Sequence, residues 1–204
     1  MESMISFPRR RKSKIKRKEK EFNMTLFFAT LIAAGILLAL GALFLVSNSA
    51  IKSMFKAFPR SQVASVVFFG GGAAWFVYNV AHMSAADVIG FSTPTPFVFI
   101  FGALALLSFF YLPEFLSVRG LSVVILVGSW PLLMSAYGRY EIPSRLFLVS
   151  VLYVAISAAI YLAASPFRLR DFFEWLYRTP GRARAFGTVL AAYGLLLAGV
   201  AFSY

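Results

Sequence analysis

Cysteine is absent from this 204-residue chain, and histidine occurs once, as His82. The chain therefore forms no disulfide, carries no thiolate nucleophile and has no second histidine with which to hold a haem. Acidic residues number only eight, so a zinc site would have to be built from scarce carboxylates. We expect no cofactor and no metal site.

Sequence motifs of common enzymes are missing as well. The chain has no Gly-x-Ser-x-Gly elbow, no His-Glu-x-x-His helix, no Walker loop and no Gly-x-Gly-x-x-Gly turn. These absences favour a protein that is not an enzyme. An acid–base pair of His82 and Asp87 is the remaining enzymatic alternative.

Hydrophobic residues, in contrast, make up 60% of the chain and concentrate in long stretches. A helix needs about 20 mainly apolar residues to cross the hydrocarbon core of a bilayer. We predict an all-α, polytopic transmembrane bundle of about six helices, five to six of them spanning, in one domain of residues 24–204. The six stretches are Met24–Val46, Val63–His82, Phe97–Leu112, Leu121–Tyr137, Leu146–Ala164 and Phe186–Phe202.

A basic tail, residues 1–23, precedes the first stretch. Nine of the 20 Lys and Arg residues lie within Arg9–Lys20. Such a run is typical of a disordered segment that attracts anionic lipid headgroups. Nucleic acid is the less favoured partner, because the run has no interleaved aromatic residues and adjoins a membrane helix. Headgroup contacts are predicted for Arg9, Arg10, Arg11 and Lys12.

Two connections have the spacing of amphipathic helices. Their apolar residues recur at i, i+3, i+4 and i+7, with basic residues between them, which predicts helices lying along the headgroup layer. The apolar sets are Ile51, Met54, Phe55 and Phe58, then Leu169, Phe172, Phe173 and Leu176. The predicted headgroup contacts are Lys52, Lys56, Arg168, Arg170 and Arg178.

The positive-inside rule gives conflicting orientations. The first, third and fifth connections hold nine Lys and Arg residues against two in the second and fourth, but the tail adds nine to the opposite side if all six stretches span. Either the first stretch lies in the interface or re-enters without crossing, or translation begins at Met24, or the tail alone sets the orientation. We favour the first two explanations without separating them. The basic connections also recur about every 60 residues, which raises the alternative of three helical hairpins.

One helix face in the second stretch carries the candidate ligand-binding residues. Trp75, Tyr78, Asn79 and His82 are spaced to share that face near the end of the stretch. The face is suited to a polar headgroup or a proton relay. The favoured interpretation is an aromatic belt with an interhelical hydrogen bond at the membrane surface.

Two further polar sets are expected to have structural roles. Ser150, Tyr153, Ser157, Tyr161 and Ser165 form a stripe that either lines a small pathway or, as we favour, packs on neighbouring helices. The charged residues at helix ends are predicted to be exposed anchors. They are Glu114, Arg119, Arg139 and Glu141.

The sequence does not specify an activity. It favours an accessory or scaffolding component of an assembly in a bacterial-type inner membrane, which associates with anionic lipid and with a membrane-protein partner or a second copy. The alternative is a small transporter or a lipid-headgroup-binding protein. For this alternative the second stretch, with Gly70–Gly72, and the fourth, with Pro131, have the interrupted pattern of transporter binding sites.

Overall fold

The computed structural model describes residues 9–83 and 93–204, and it describes the backbone alone for residues 9–25 and Pro180. Every regular element in these ranges is helical, which confirms the all-α class. A π-helical turn, Ser65–Gly70, joins α3 to α4, so Gln62–Ala81 is one continuous helix, called α3–α4 below. A 3₁₀ turn, Phe58–Arg60, follows α2. The helices are α1 Arg9–Val46, α2 Ser49–Ala57, α3 Gln62–Ala64, α4 Gly71–Ala81, α5 Thr95–Tyr111, α6 Leu116–Ala136, α7 Arg145–Ala164, α8 Phe167–Arg178 and α9 Pro180–Ala201.

All six predicted apolar stretches form helices. Five of them are long and apolar enough to cross a membrane, judged by length and composition. The sixth, α5, has 17 residues, or about 26 Å at a rise of about 1.5 Å per residue, which is shorter than a hydrocarbon core of about 30 Å. The five longer segments are Leu26–Val46, Gln62–Ala81, Leu116–Ala136, Arg145–Ala164 and Gly181–Ala201.

Helix α1 begins at Arg9, inside the segment predicted to be a disordered tail. Lys and Arg have good helix propensity, and a helix already nucleated by an apolar segment is extended one residue at a time. The division of the chain into a separate tail and a helical domain stays a prediction.

Helices α1 and α9 pack antiparallel along their shared length. The rings of Phe27 and Phe202 lie 5.6 Å apart at one end, and those of Phe44 and Phe186 lie 5.3 Å apart at the other. Between these pairs, a Cβ added to Gly41 would lie 2.9 Å from the Gly187 carbonyl oxygen. This packing favours a first stretch that crosses the bundle over one that lies along its surface.

Helices α3–α4, α5 and α6 alternate in direction. Ring pairs Phe69–Phe109 at 5.3 Å and Phe76–Phe101 at 5.1 Å make α5 antiparallel to α3–α4. Helix α6 runs parallel to α3–α4, because its Gly120 meets the backbone of Phe69 while its Gly128 faces Trp75. Helix α5 therefore carries the chain back through the bundle despite its short length.

The alternation gives the bundle two ends. The tail end contains Leu26, residues 137–144 and Tyr204; the platform end contains α2, residues 112–115 and α8. Each end has a buried apolar cluster; α1, α6 and α9 contribute to both, α7 completes the tail-end cluster and α8 completes the platform-end cluster. The tail-end cluster includes Leu26, Ala34, Ala136, Leu148 and Leu197, and the platform-end cluster includes Phe44, Val118, Leu169, Phe173 and Ala183.

Candidate functional site

The predicted ligand-binding face is on α4, close to the tail end, and all four of its residues are exposed. Trp75 is 41% exposed and Tyr78 is 61% exposed; Asn79 and His82 are also exposed. The four side chains share one helix face, as the spacing predicts. None of the four lines the apolar cavity described below, and of the four Trp75 lies against α6 beside Gly128.

His82 completes the end of α4. Its Nδ1 lies 2.8 Å from the Tyr78 carbonyl oxygen, and its ring centroid lies 4.2 Å from that of Tyr78. As the Nδ1–H tautomer, the imidazole donates to a carbonyl that the helix end leaves without an intrahelical partner. Asp87, the proposed acid–base partner of His82, lies outside the described residues. The geometry supports a helix cap at this position.

An apolar cavity of about 470 Å³, called the groove below, lies on a different side of α4. Its lining comes from α3–α4, α5 and α6, through residues such as Ala73, Val77, Leu104, Ala105, Val123 and Val127. Sequence reasoning missed the groove. Each helix is apolar nearly all round, so no periodicity marks the side that lines a cavity.

The two predicted amphipathic helices, α2 and α8, pack together at the platform end. Phe55 of α2 stacks on Phe44 of α1 at 4.8 Å and lies 5.2 Å from Phe173 of α8. Leu169, Phe173 and Leu176 of α8 are buried, as its apolar spacing predicts. Both predicted segments form helices, and α8 buries its apolar side, whereas α2 has no buried residue. That the two are amphipathic helices lying in a headgroup layer stays a prediction.

The predicted headgroup contacts divide between the two ends. Lys52, Lys56, Arg168, Arg170 and Arg178 are exposed or half-buried on α2 and α8. Arg9, Arg10, Arg11 and Lys12 start α1 on the opposite side, and their side chains lie outside the described part of the chain. The predicted contacts therefore do not form one continuous surface.

Local partners hold several platform cations in place. Arg170 Nη2 donates to Asp171 Oδ1 at 2.8 Å, and this hydrogen bond raises the pKa of Arg170 above its ordinary value. The guanidinium of Arg182 lies 4.8 Å from the ring centroid of Trp175. Such contacts orient charged groups at the surface while leaving them accessible to anions.

The hydroxyl-bearing residues of α7 face outwards. Ser150, Tyr153, Ser157 and Tyr161, called the hydroxyl stripe below, are all exposed, Tyr153 by 60% and Tyr161 by 53%. Ser150 Oγ donates to the Leu146 carbonyl oxygen at 2.7 Å. Within the described residues, the hydroxyls of Tyr153, Ser157 and Tyr161 have no hydrogen-bond partner. Among the described residues, the stripe therefore neither lines a pathway nor packs on another helix, so the packing role we favoured is not seen within this chain's described part.

Arg139 is buried, and the prediction that it is an exposed anchor is wrong. Gly138 has a φ of +75°, so the chain turns sharply after α6, and Arg139 is only 2% exposed. Burial lowers the pKa of its guanidinium, while Glu141 and Tyr204 act in the opposite direction. Its neighbour Arg145 donates through Nη1 to the Ala136 carbonyl oxygen at 2.8 Å. The Arg145 hydrogen bond joins the start of α7 to the end of α6 across the 137–144 connection.

The described residues contain no group of three or more His, Cys, Asp or Glu side chains placed to hold a metal ion. Comparison with known proteins gives no match to a protein-family model, to a curated protein or to a solved structure.

Proposed function

We propose that this is a polytopic integral membrane protein of a bacterial-type inner membrane that acts as an accessory or scaffolding component. In this proposal it holds a partner helix, from another membrane protein or a second copy, against the hydroxyl stripe of α7. The single observation that carries the proposal is the outward position of that stripe on an apolar 20-residue helix.

Hydroxyl groups are costly to leave without a hydrogen-bond partner in hydrocarbon. Tyr153 and Ser157 lie near the middle of α7, where lipid offers no hydrogen-bond partner. An interhelical hydrogen bond in a membrane contributes about 0.6 kcal/mol on average, and up to about 1.7 kcal/mol. A partner helix that satisfies these hydroxyls is therefore favoured over lipid tails.

The spacing of small residues supports the same surface. Ser150, Ser157 and Ala164 are exposed and seven residues apart. A seven-residue repeat keeps one seam facing a partner helix, and small side chains allow the two backbones to approach closely.

The absence of cysteine makes a crosslinking test direct. Single Ser157→Cys and Leu106→Cys variants are oxidised in native membranes, Leu106 being 66% exposed on the outer side of α5. We expect a disulfide adduct for Ser157→Cys only. A mass of twice the chain indicates a second copy, and any other mass indicates a different partner whose own cysteine has reacted.

A partner without a cysteine would escape the disulfide test, so a photoreactive phenylalanine analogue at Tyr153 serves as the second probe. Tyr111 is the control position for this probe. Equal yields at stripe and control positions with both probes would refute the proposal.

The alternative function, a small transporter or a lipid-headgroup-binding protein, gains one supporting observation. Its predicted binding face, Trp75–His82, is an exposed helix surface in the described part of the chain. The groove, however, has the size and lining of a site for a lipid tail.

A further inference from the structure

The groove accepts only an apolar occupant. Its volume of about 470 Å³ falls within the range of about 300–1,000 Å³ that is usual for ligand sites. Ser108 is its one polar side chain, and the Ser108 hydroxyl already donates to the Leu104 carbonyl oxygen at 2.7 Å. The lining therefore offers an incoming polar group no free hydrogen-bond donor.

The groove is open to the surroundings of the bundle. Helix α5 has no buried residue, and its groove-lining Leu104 remains 53% exposed. Phe76, which lines the groove from α4, is 37% exposed. An occupant can enter from the side, between α5 and α6, without passing through the bundle.

A cation stands at the platform-end rim of the groove. Arg119 precedes the groove-lining residues Val123 and Leu126 by four and seven positions, so all three share one face of α6. Arg119 lies one helical turn, about 6 Å, nearer the platform end. Within the described residues the Arg119 guanidinium makes no hydrogen bond or ion pair, and the side chain is half-buried.

The rim around Arg119 has a net positive charge. Arg60 lies beside α6, with its guanidinium 5.9 Å from the ring centroid of Phe115, which caps that helix. Glu114, the acidic residue of the connection between α5 and α6, is exposed. Two cations and one carboxylate together match a group with a single negative charge, such as a phosphodiester.

We propose that the groove binds one acyl chain of an anionic phospholipid, whose phosphate pairs with Arg119. The net positive charge at the rim repels the choline cation of a zwitterionic lipid and so selects an anionic headgroup, and the apolar lining takes the tail. The inference rests on the proposed membrane location but is independent of the partner surface on α7. Failure of either test therefore leaves the other proposal standing.

The test uses the full chain in mixed membranes of phosphatidylglycerol and phosphatidylcholine, released into mild detergent and weighed by native mass spectrometry. We expect one retained phosphatidylglycerol per chain. Arg119→Gln should lower its preference over phosphatidylcholine by about tenfold, as expected for loss of a hydrogen bond to a charged group. Arg184→Gln, on an exposed residue near the start of α9, is the matched control and should leave the preference unchanged. Equal preference in both variants would overturn the proposal, as would a polypeptide retained in place of lipid.

A second measurement uses a conservative substitution that leaves the fold intact. The thiol introduced by Ser108→Cys should react with a lipid-soluble maleimide, and phosphatidylglycerol should slow that reaction more than phosphatidylcholine does. The thiol introduced by Leu106→Cys, on the outer side of α5, should react at the same rate in both lipids. Equal protection of position 108 by the two lipids would show that only bulk lipid fills the groove and would contradict the proposal.

Discussion

Substitution of Gly120 by alanine is expected to destabilise the bundle at its closest helix contact. A Cβ added at this position would lie 2.5 Å from Phe69 Cα and 2.6 Å from the carbonyl carbon of Phe68. Both atoms belong to the backbone of the π-helical turn, so neither can move away by a side-chain rotation. Helices α6 and α3–α4 must separate locally to accommodate the methyl group.

The magnitude follows from two opposing terms. Inserting a methyl group into a well-packed contact costs about 1–3 kcal/mol, and contact with backbone on α3–α4 places Gly120→Ala at the upper end. Alanine also raises helix propensity by up to about 1 kcal/mol relative to glycine. Gly102→Ala on α5 is the matched control, because a Cβ there meets no atom within 4 Å. The propensity term is common to both variants, so their difference isolates the clash.

The assay is unfolding of the purified chain in dodecylmaltoside micelles by titration with sodium dodecyl sulfate, followed by circular dichroism. We expect Gly120→Ala to lower the free energy of unfolding by about 1–3 kcal/mol. Gly102→Ala should leave this free energy unchanged or raise it. If the two variants differ by less than about 0.5 kcal/mol, the close approach of α6 to the π-helical turn is refuted.

Tyr177 on α8 has a buried hydroxyl with no hydrogen-bond partner among the described residues. Tyr177→Phe should therefore leave the free energy of unfolding unchanged at neutral pH or raise it by about 1 kcal/mol. A decrease of about 1 kcal/mol would contradict this prediction. Burial raises the pKa of Tyr177, so the phenol ionises at lower pH in the unfolded state than in the folded state. The free energy of unfolding should therefore fall as the pH rises above the ordinary phenol pKa of about 10. Tyr177→Phe should remove this part of the fall. For topology, thiols introduced by Ser13→Cys and Ser203→Cys should react with an impermeant reagent from the same side of the membrane, and that introduced by Ser53→Cys only from the other side. Labelling of all three from one side would contradict the alternating helices.

The helices could be predicted from the sequence because their signals are sums over many residues. Length and apolarity over about 20 positions marked the six stretches, and α2 and α8 followed from a periodic alternation of apolar and basic residues. In α8 this alternation correctly indicated Leu169, Phe173 and Leu176 as the buried side. The amphipathic helices were predictable since only one of their faces is suited to burial.

The orientation of the apolar helices about their own axes could not be predicted. The spacing correctly placed Trp75 and His82 on one face, but an almost entirely apolar helix carries no pattern to show which way that face points. The same ambiguity concealed the groove and left the direction of the hydroxyl stripe open. Burial of Arg139 depends on the turn at Gly138, a single backbone conformation that composition does not reveal.

The two ends of the bundle carry the same net charge, so net charge gives the protein no preferred orientation in a membrane. If each charged residue is assigned to the end at which its tail or connection lies, the net charge of +12 divides equally between the two ends of the six-helix bundle. Lys and Arg alone number eleven at the tail end and nine at the platform end, so the positive-inside rule gives almost no bias. Under the two proposals, a contact with a partner helix at the hydroxyl stripe, or with an anionic lipid at Arg119, decides the insertion. If the proposals are correct, Tyr153→Phe or Arg119→Gln should produce a mixed population in the Ser53→Cys labelling experiment. Arg184→Gln removes an exposed platform cation that belongs to neither proposed site, so it should shift the population less. A larger shift with Arg184→Gln would show that cation number, and not a specific contact, sets the orientation.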